Sequence, residues 1–532
     1  MSNSLIRIGL LTALCIPASL TLGAPVDIWK DGQVNCRLIL PPDDQGGRLV
    51  GSTINRYLRE WYGVELQTAA KCGAEGTFIL AGTPRTNPEI ARLVREGLLL
   101  TEEALGDEGY QLVAHEDGSA RCVVIHGRTP RALKHGCQEL LFYHMPFTAH
   151  SGAVNWPLNI IRRPAVGYRG TYMLPCWAAY DSYESWDRVL RFNSELTLNR
   201  NWFWLDGFPV AGHTGEYAGT DLADGAKVQR LLDLATGEDM KILIGGGWFN
   251  WHHQKAIGKD TEKGIEYYLA YIDTFRNFHG FYIEPTGEGK EIQNWRPEAD
   301  ALCKLIGLVL ERKPEFEFAI AIGKFNNSEY LRQMARLDSK RVYWWWCWGD
   351  PLRDKTLDLY PTVLRWHTNV RMSDFHGTQE PPQPQERVLA GVVTSYDPGQ
   401  GFGNPWDGWA KLGVDRPRNF HPYTIPYFGH EYFYRERCWD LDITEEQFVS
   451  RLQCRLFDVD APANAAANYW RLTRLVLACE KTPPSPDDLA PVRAFLRGVA
   501  GRGWTPRMQD TLSRMTTAIQ ELDKPRSKPS TP

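Results

Sequence analysis

The sequence predicts an α/β protein: a (β/α)8 TIM barrel preceded by a small α/β sandwich domain and followed by a helical region. Three observations carry this expectation. From Tyr168 onward, short apolar strands alternate with polar loops and helical stretches. Ahead of them lies a shorter alternation of strands and helices with one hairpin, and beyond Cys438 the periodicity is helical alone. A chain of 532 residues also exceeds one core, because domains run to ~100–200 residues.

The first segment, MSNSLIRIGLLTALCIPASLTLGAPVD, places one Arg ahead of an apolar run that ends in small residues. That order is a signal peptide over residues 1–24, which directs the protein to the periplasm or the extracellular space. Pro17 interrupts the run, which is shorter than the ~20 residues a spanning helix needs. Leu14 before Cys15 is too large for a lipoprotein signal. No later segment is apolar enough to span a bilayer, so no membrane span is expected.

Residues 25–160 read as the sandwich: the strand NCRLILP, a helix over 52–61, the strand TFILAGT and a helix over 88–96. The strand EGYQLVAHE, the turn DGSA, the strand RCVVIHG and the closing helix PRALKHGCQELLFY follow. Residues 165–437 read as the barrel, with strands YRGTYML, RNWFWLD, KILIGGGWF, GFYIEP, FAIAIGKF, VYWWWCW, NVRMSDF and LAGVVTSY. Helices separate most of them. Residues 438–523 read as helices, beginning at Thr444 with Glu445 and Glu446 in the first turn, where acids favour the helix dipole. The tail 524–532 is expected to be disordered.

A formal net charge of -4 gives no electrostatic basis for binding nucleic acid or an anionic membrane. Aromatic residues make up 12% of the chain, with 20 Trp. Trp is large for a core filler, and the apolar face of a pyranose stacks well on an indole. The chain has 11 Cys, and export permits disulfides such as Cys36 with Cys72, although the sequence does not fix the pairing. Neither CxxC nor HExxH spacing occurs, and the adjacent His252 and His253 lack a third ligand, so no metal or other cofactor is expected. The oligomeric state is not legible.

Barrel active sites gather at the C-terminal ends of the strands. The acids there are Asp206, Glu284, Glu288, Asp350, Asp374, Glu380 and Asp397. Glycoside cleavage needs one carboxylic acid to protonate the leaving oxygen and a second to act as base or nucleophile, and this set can provide both. The run GFYIEPTGEG stands out, because glycines on both sides of Glu288 free the backbone to project its side chain into the mouth. Trp248, Trp346 and Trp348 are candidate sugar platforms, Asp206 and His252 candidate hydroxyl ligands, and Glu284 and Lys324 further candidate substrate-binding residues.

The run ILAGT, GDEGYQLV and VVIHGRTPRALKHGCQELL resembles the N-terminal domain shared by family 67 α-glucuronidases and β-hexosaminidases, over most of residues 34–145. The resemblance to family 67 extends into the barrel. The family's fourth strand ends in KANSEG, whose Glu is the general acid, and TGEG places Glu288 in that role. WCWGDP and RMSDFHG place Asp350 and Asp374 where the family carries its general-base carboxylates, and YFYRERCWDLDITEEQF is similar to a family passage of strand, Trp, turn and helix. The resemblance implies an inverting glycosidase acting on a carbohydrate. Two positions depart from it. The lysine that binds the glucuronate carboxylate falls on Glu284, and the arginine at the fifth strand end has only the displaced Lys324 as counterpart. A carboxylate facing a uronate repels it in a low-dielectric pocket.

Expression with export should yield a mature chain beginning within about two residues of Ala24. N-terminal sequencing of the exported protein checks this, and a chain still starting MSNSL would contradict it.

Overall fold

The computed structural model describes residues 23–41, 44–173, 183–204, 224–247, 261–284, 295–322, 341–346, 363–366, 389–396, 423–425, 427–478 and 484–524. The first elements are β1 (Gly23–Lys30), β2 (Gln33–Val34), β3 (Cys36–Ile39), α1 (Gln45–Tyr62), β4 (Gln67–Thr68), β5 (Glu75–Gly82), α2 (Pro88–Arg95) and α3 (Glu102–Leu105). β6 (Tyr110–Asp117), β7 (Ser119–Gly127), α4 (Pro130–Glu139), β8 (Ser151–Trp156) and β9 (Asn159–Arg162) complete this region. They form a six-stranded sheet in the order β4-β3-β5-β7-β6-β9 and a three-stranded sheet in the order β2-β1-β8.

The large sheet is buried on both faces, as its near-continuous apolar run requires. Along β7, Val123 and Ile125 pack under α1 and α4, whereas Ala120, Cys122 and Val124 pack on the opposite face against Ile90 and Leu93 of α2. Side chains alternate along a strand, so one strand serves both layers. Cys36 belongs to the first face and Cys72 packs against the second. The sheet therefore separates the two thiols that the sequence offered as an example pair.

Local signals fix the helix ends. Asp44 accepts from the Gly47 amide at 2.8 Å to start α1, and Gly63, at φ 67, ends it. Thr129 caps α4, with Pro130 in the first turn. The α4 sequence reads as an amphipathic closing helix. In the structure every residue from Ala132 to Glu139 is buried, because its polar side meets the barrel rather than water. Lys134 Nζ donates to Ser194 Oγ at 2.9 Å, and Gln138 donates to the Ser194 carbonyl at 2.9 Å.

The barrel elements are β10 (Tyr168–Met173), α5 (Tyr183–Glu195), β11 (Arg200–Trp204), α6 (Gly225–Gly237), β12 (Lys241–Gly247) and α7 (Thr261–Thr274). β13 (Gly280–Glu284), α8 (Trp295–Arg312), β14 (Glu317–Ile322), β15 (Val342–Trp346), β16 (Val363–Trp366) and β17 (Leu389–Tyr396) follow. The eight strands close into a barrel in sequence order. Every neighbouring pair is parallel, and β17 returns to β10 with Tyr168 opposite Gly391 and Met173 opposite Tyr396. The seventh strand is VLRW and not the expected NVRMSDF. The latter is more polar, and it lies outside the described residues, as does the expected barrel helix NSEYLRQMARL.

The chain ends in α9 (Tyr427–Trp439), α10 (Glu445–Leu456), α11 (Ala465–Ala478), α12 (Pro486–Val499) and α13 (Pro506–Asp523). α10 starts at Thr444 as expected, through a capping box in which Thr444 and Gln447 bond each other's backbone amides. The passage YFYRERCW, expected to begin as a strand, lies within helix α9. Almost all of α9 is buried, Glu431, Arg435 and Glu436 included, and a helix covered on all sides loses its sequence periodicity. Among the described residues, no helix is long and apolar enough to cross a membrane.

Two buried carboxylates join the three regions. Glu139 of α4 lies 2.8 Å from Arg451 of α10, 3.3 Å from Arg162 of β9 and 3.8 Å from Arg435 of α9. It also accepts from the Tyr110 hydroxyl at 3.0 Å. Glu436 pairs with Arg435, lies 2.6 Å from Arg451 and accepts from the Tyr143 hydroxyl at 2.9 Å. Burial opposes ionisation of both acids, but the arginines outweigh it. Glu139, facing Arg451 and Arg162, is held well below the usual carboxylate range, and Glu436, facing Arg435 and Arg451, at about 2.

Removing one member strands its partners. Glu139→Gln is expected to lower stability by about 3–5 kcal/mol, read as the midpoint of denaturant unfolding followed by tryptophan fluorescence; an unchanged midpoint would contradict the role given to Glu139. Because both carboxyls titrate lower in the folded chain, their contribution is complete above pH 4.5 and drains away as the pH falls from there toward 2.

Candidate active site

The barrel is packed at one end. Its N-terminal end is filled by the residues that open the strands. Arg200, first in β11, makes a two-point contact with Glu317, first in β14, at 3.0 and 3.2 Å, and Lys241, first in β12, pairs with the same carboxylate. β11 and β14 are not neighbours in the barrel, so the Arg200–Glu317 pair crosses the interior. Tyr168 of β10 meets Tyr343 of β15 across the interior likewise, at 4.9 Å between ring centres. The Arg200 guanidinium lies 4.6 Å over the Tyr168 ring. Trp202 donates to the Tyr168 hydroxyl at 2.7 Å and stacks on Tyr282 at 5.3 Å.

Burial alone would raise the Glu317 carboxyl, but Arg200 and Lys241 hold it at about 2. Desolvation, reinforced by Lys241, pushes His279 beside this cluster down to about 4, so it is neutral near pH 7. Each charge of this floor has an opposite partner, the two cations sharing the Glu317 carboxylate. In barrels of this type that end carries stability and the C-terminal ends carry chemistry. The floor was not anticipated from the sequence, although its signal was present in the charged residues that open otherwise apolar strands.

In the sequence, each candidate site residue ends a barrel strand or follows one. Glu284 is the last residue of β13, in register with Gly247 of β12. It shares strand parity with Tyr282, whose ring stacks inside the barrel on Trp202. Trp346 is the last residue of β15, in register with Arg365. It shares parity with Val342 and Trp344, which belong to the core on the helix side. Asp206, Trp248, His252, Glu288, Lys324, Trp348, Asp350 and Asp374 lie outside the described residues, as do His253, Glu380 and Asp397. The strands that launch them are described: β11 ends before Asp206, β12 before Trp248, β13 before Glu288, β14 before Lys324, and β15 before Trp348 and Asp350. With the seventh strand ending at Trp366, Asp374 stands beyond a strand end and not on one.

Arg169, which the sequence places at the start of the barrel, is fully buried on the other side of β10. It pairs with Glu108, whose carboxylate also accepts from Asn199 at 2.8 Å and lies 3.1 Å from Arg131. This is a bond between the N-terminal region and the barrel and not part of a site. Among the described residues, no group of three or more His, Cys, Asp or Glu is arranged to hold a metal ion.

No family model and no curated protein matches the chain. Solved structures do. A GH138 enzyme targeting pectin rhamnogalacturonan II is similar over 84% of this chain and 56% of its own, at 12% identity and a TM-score of 0.55. An inactive mutant of the GH20 exo-β-N-acetylglucosaminidase from Vibrio harveyi is similar over 84% of this chain and 76% of its own, at 14% identity and a TM-score of 0.50. The same Vibrio harveyi enzyme with N-acetylglucosamine bound gives 14% identity and a TM-score of 0.49, over 83% and 75%. The chain therefore has a fold found in glycoside hydrolases.

Proposed function

We propose that the chain is an exported glycoside hydrolase that cleaves an oligosaccharide or polysaccharide by carboxylate acid–base catalysis. The observation that carries this reading is the polarity of the closed barrel. One end is filled by the Arg200–Glu317–Lys241 floor, and in the sequence each acid-bearing segment, GFYIEPTGEG foremost, follows a strand whose C-terminus stands at the other. The GH138 and GH20 likenesses support it at the level of fold.

In this reading Glu288 is the general acid, and Asp350 or Asp374 activates water on the opposite face of the sugar. The acid gives its proton to the leaving oxygen as the glycosidic bond breaks, and the base takes a proton from the incoming water. Trp248, Trp346 and Trp348 supply stacking surfaces, and Asp206, His252 and Lys324 bind hydroxyls. Glu284, at the end of β13, disfavours a uronate at the family 67 position, so a neutral or N-acetylated sugar is the better substrate. A second reading, a β-N-acetylhexosaminidase-like hydrolase, draws on the GH20 likeness. Its substrate-assisted chemistry uses adjacent acids on one strand end, and Glu284 and Glu288 are not adjacent. A barrel that binds glycan without cleaving it is the non-enzymatic alternative.

Glu288→Gln keeps the shape of the side chain and removes its proton. Turnover of a glycoside with a poor leaving group is expected to fall by ~10²–10⁴-fold, while one whose leaving group needs little protonation is largely spared. Asp350→Asn or Asp374→Asn is expected to slow both alike. If Glu288→Gln cleaves the poor-leaving-group substrate at the native rate, the acid is elsewhere.

A further inference from the structure

Cys72 and Cys122 are far apart in the chain and adjacent in space. Cys122 lies in the middle of β7, buried at 3% exposure on the sheet face covered by α2. Cys72 is half-buried in the connection between β4 and β5 and packs on the same apolar cluster. Their sulfurs are 3.8 Å apart. The other described thiols lack this arrangement. Cys36 and Cys137 belong to the opposite sheet face, and Cys303, Cys438 and Cys454 stand on helices of the barrel and the C-terminal region.

We propose that Cys72 and Cys122 form a disulfide when the folded chain meets an oxidising thiol–disulfide partner, stapling the β4–β5 connection to the centre of the six-stranded sheet. A disulfide needs the sulfurs at ~2.05 Å, so they must close the remaining gap. β7 is held by pairing with both β5 and β6, so the movement falls to the connection carrying Cys72. Chemistry and exposure assign the order of attack. The more exposed Cys72 meets the oxidant first, and the hydrogen bond with Cys122 lowers the Cys72 thiol from its usual value. Its thiolate attacks a disulfide such as oxidised glutathione, releasing one thiol and leaving a mixed disulfide. The Cys122 sulfur then attacks Cys72 Sγ and expels the second thiol. Two protein thiols lose two electrons and two protons, and one small disulfide becomes two thiols.

The crosslink closes a loop of about 50 residues that includes β5, α2, α3 and β6. Its effect is therefore local to the N-terminal region. The inference does not rest on the catalytic reading.

The test uses the folded full-length chain equilibrated in glutathione buffers of graded ratio, quenched in acid, denatured, alkylated and digested with trypsin without reduction. Lys71 and Arg121 directly precede the two cysteines, and Arg85 and Arg128 end their peptides. In oxidised glutathione the expected product is one crosslinked pair of peptides joining Cys72 to Cys122, with Cys36 and Cys137 alkylated. The oxidised chain is expected to melt a few degrees above the reduced one, and Cys72→Ser should abolish that difference. Alkylation of both Cys72 and Cys122 in excess oxidised glutathione, or a bond from Cys72 to a different cysteine, overturns the proposal. Working in defined buffer makes the outcome independent of whether the chain is exported.

Discussion

Two carboxylates, Glu139 and Glu436, sit among three arginines with almost no access to water, and the arrangement is tolerable only when every member is in place. The members come from α4, β9, α9 and α10. An ion left alone there would be costly, so the N-terminal region, the last barrel helix and the first C-terminal helix are fixed against one another together or not at all. Trp439 completes the junction. Arg162, Arg169 and Arg435 each lie 5.5–5.7 Å from its ring, and its indole donates to Thr197, just beyond α5, at 2.6 Å. The N-terminal sheet is thereby part of the barrel's support. A site at the opposite end of the strands gains a rigid base from it.

The fold was legible in the sequence where periodicity reports burial simply. RCVVIHG, KILIGGGWF and FAIAIGKF read as buried strands because an apolar run between loops allows little else, and Thr444 read as a helix start because capping is local. Reading failed where tertiary structure supplies the partner. The polar face of α4 resembles a solvated face, yet Lys134 and Gln138 bond the barrel. The aromatic run of α9 resembles a strand, yet the helix is buried on all sides. VLRW carries too few residues to outweigh the longer NVRMSDF nearby. The strands β1, β8 and β9 lack an apolar run long enough to announce them; β8 and β9 are sheet edges, and β1 lies between β2 and β8.

For the site, sequence reading located most of the barrel strands and could not weigh the residues that follow them. Alternation decides which residues of a strand share a face, and it needs a fixed register. Trp344 and Trp346 share one parity and Tyr343 and Trp345 the other, and the membership of Trp344 in the helix-side core is a fact of packing that the WWW run alone cannot reveal. The floor shows the converse. Arg200, Lys241 and Glu317 are plain in the sequence, but 117 positions separate Arg200 from Glu317, and only barrel closure brings them together.

The central claim is that this polarity gathers a pair of catalytic carboxylates at the C-terminal mouth. A crystal structure with a monosaccharide bound in the mouth measures it directly, through the separation between the Glu288 carboxyl and those of Asp350 and Asp374. The account predicts one aspartate facing Glu288 across the sugar at ~6.5–9.5 Å for inversion, or ~5–5.5 Å for retention. Glu288 turned to solvent, with neither aspartate in those ranges, would contradict it.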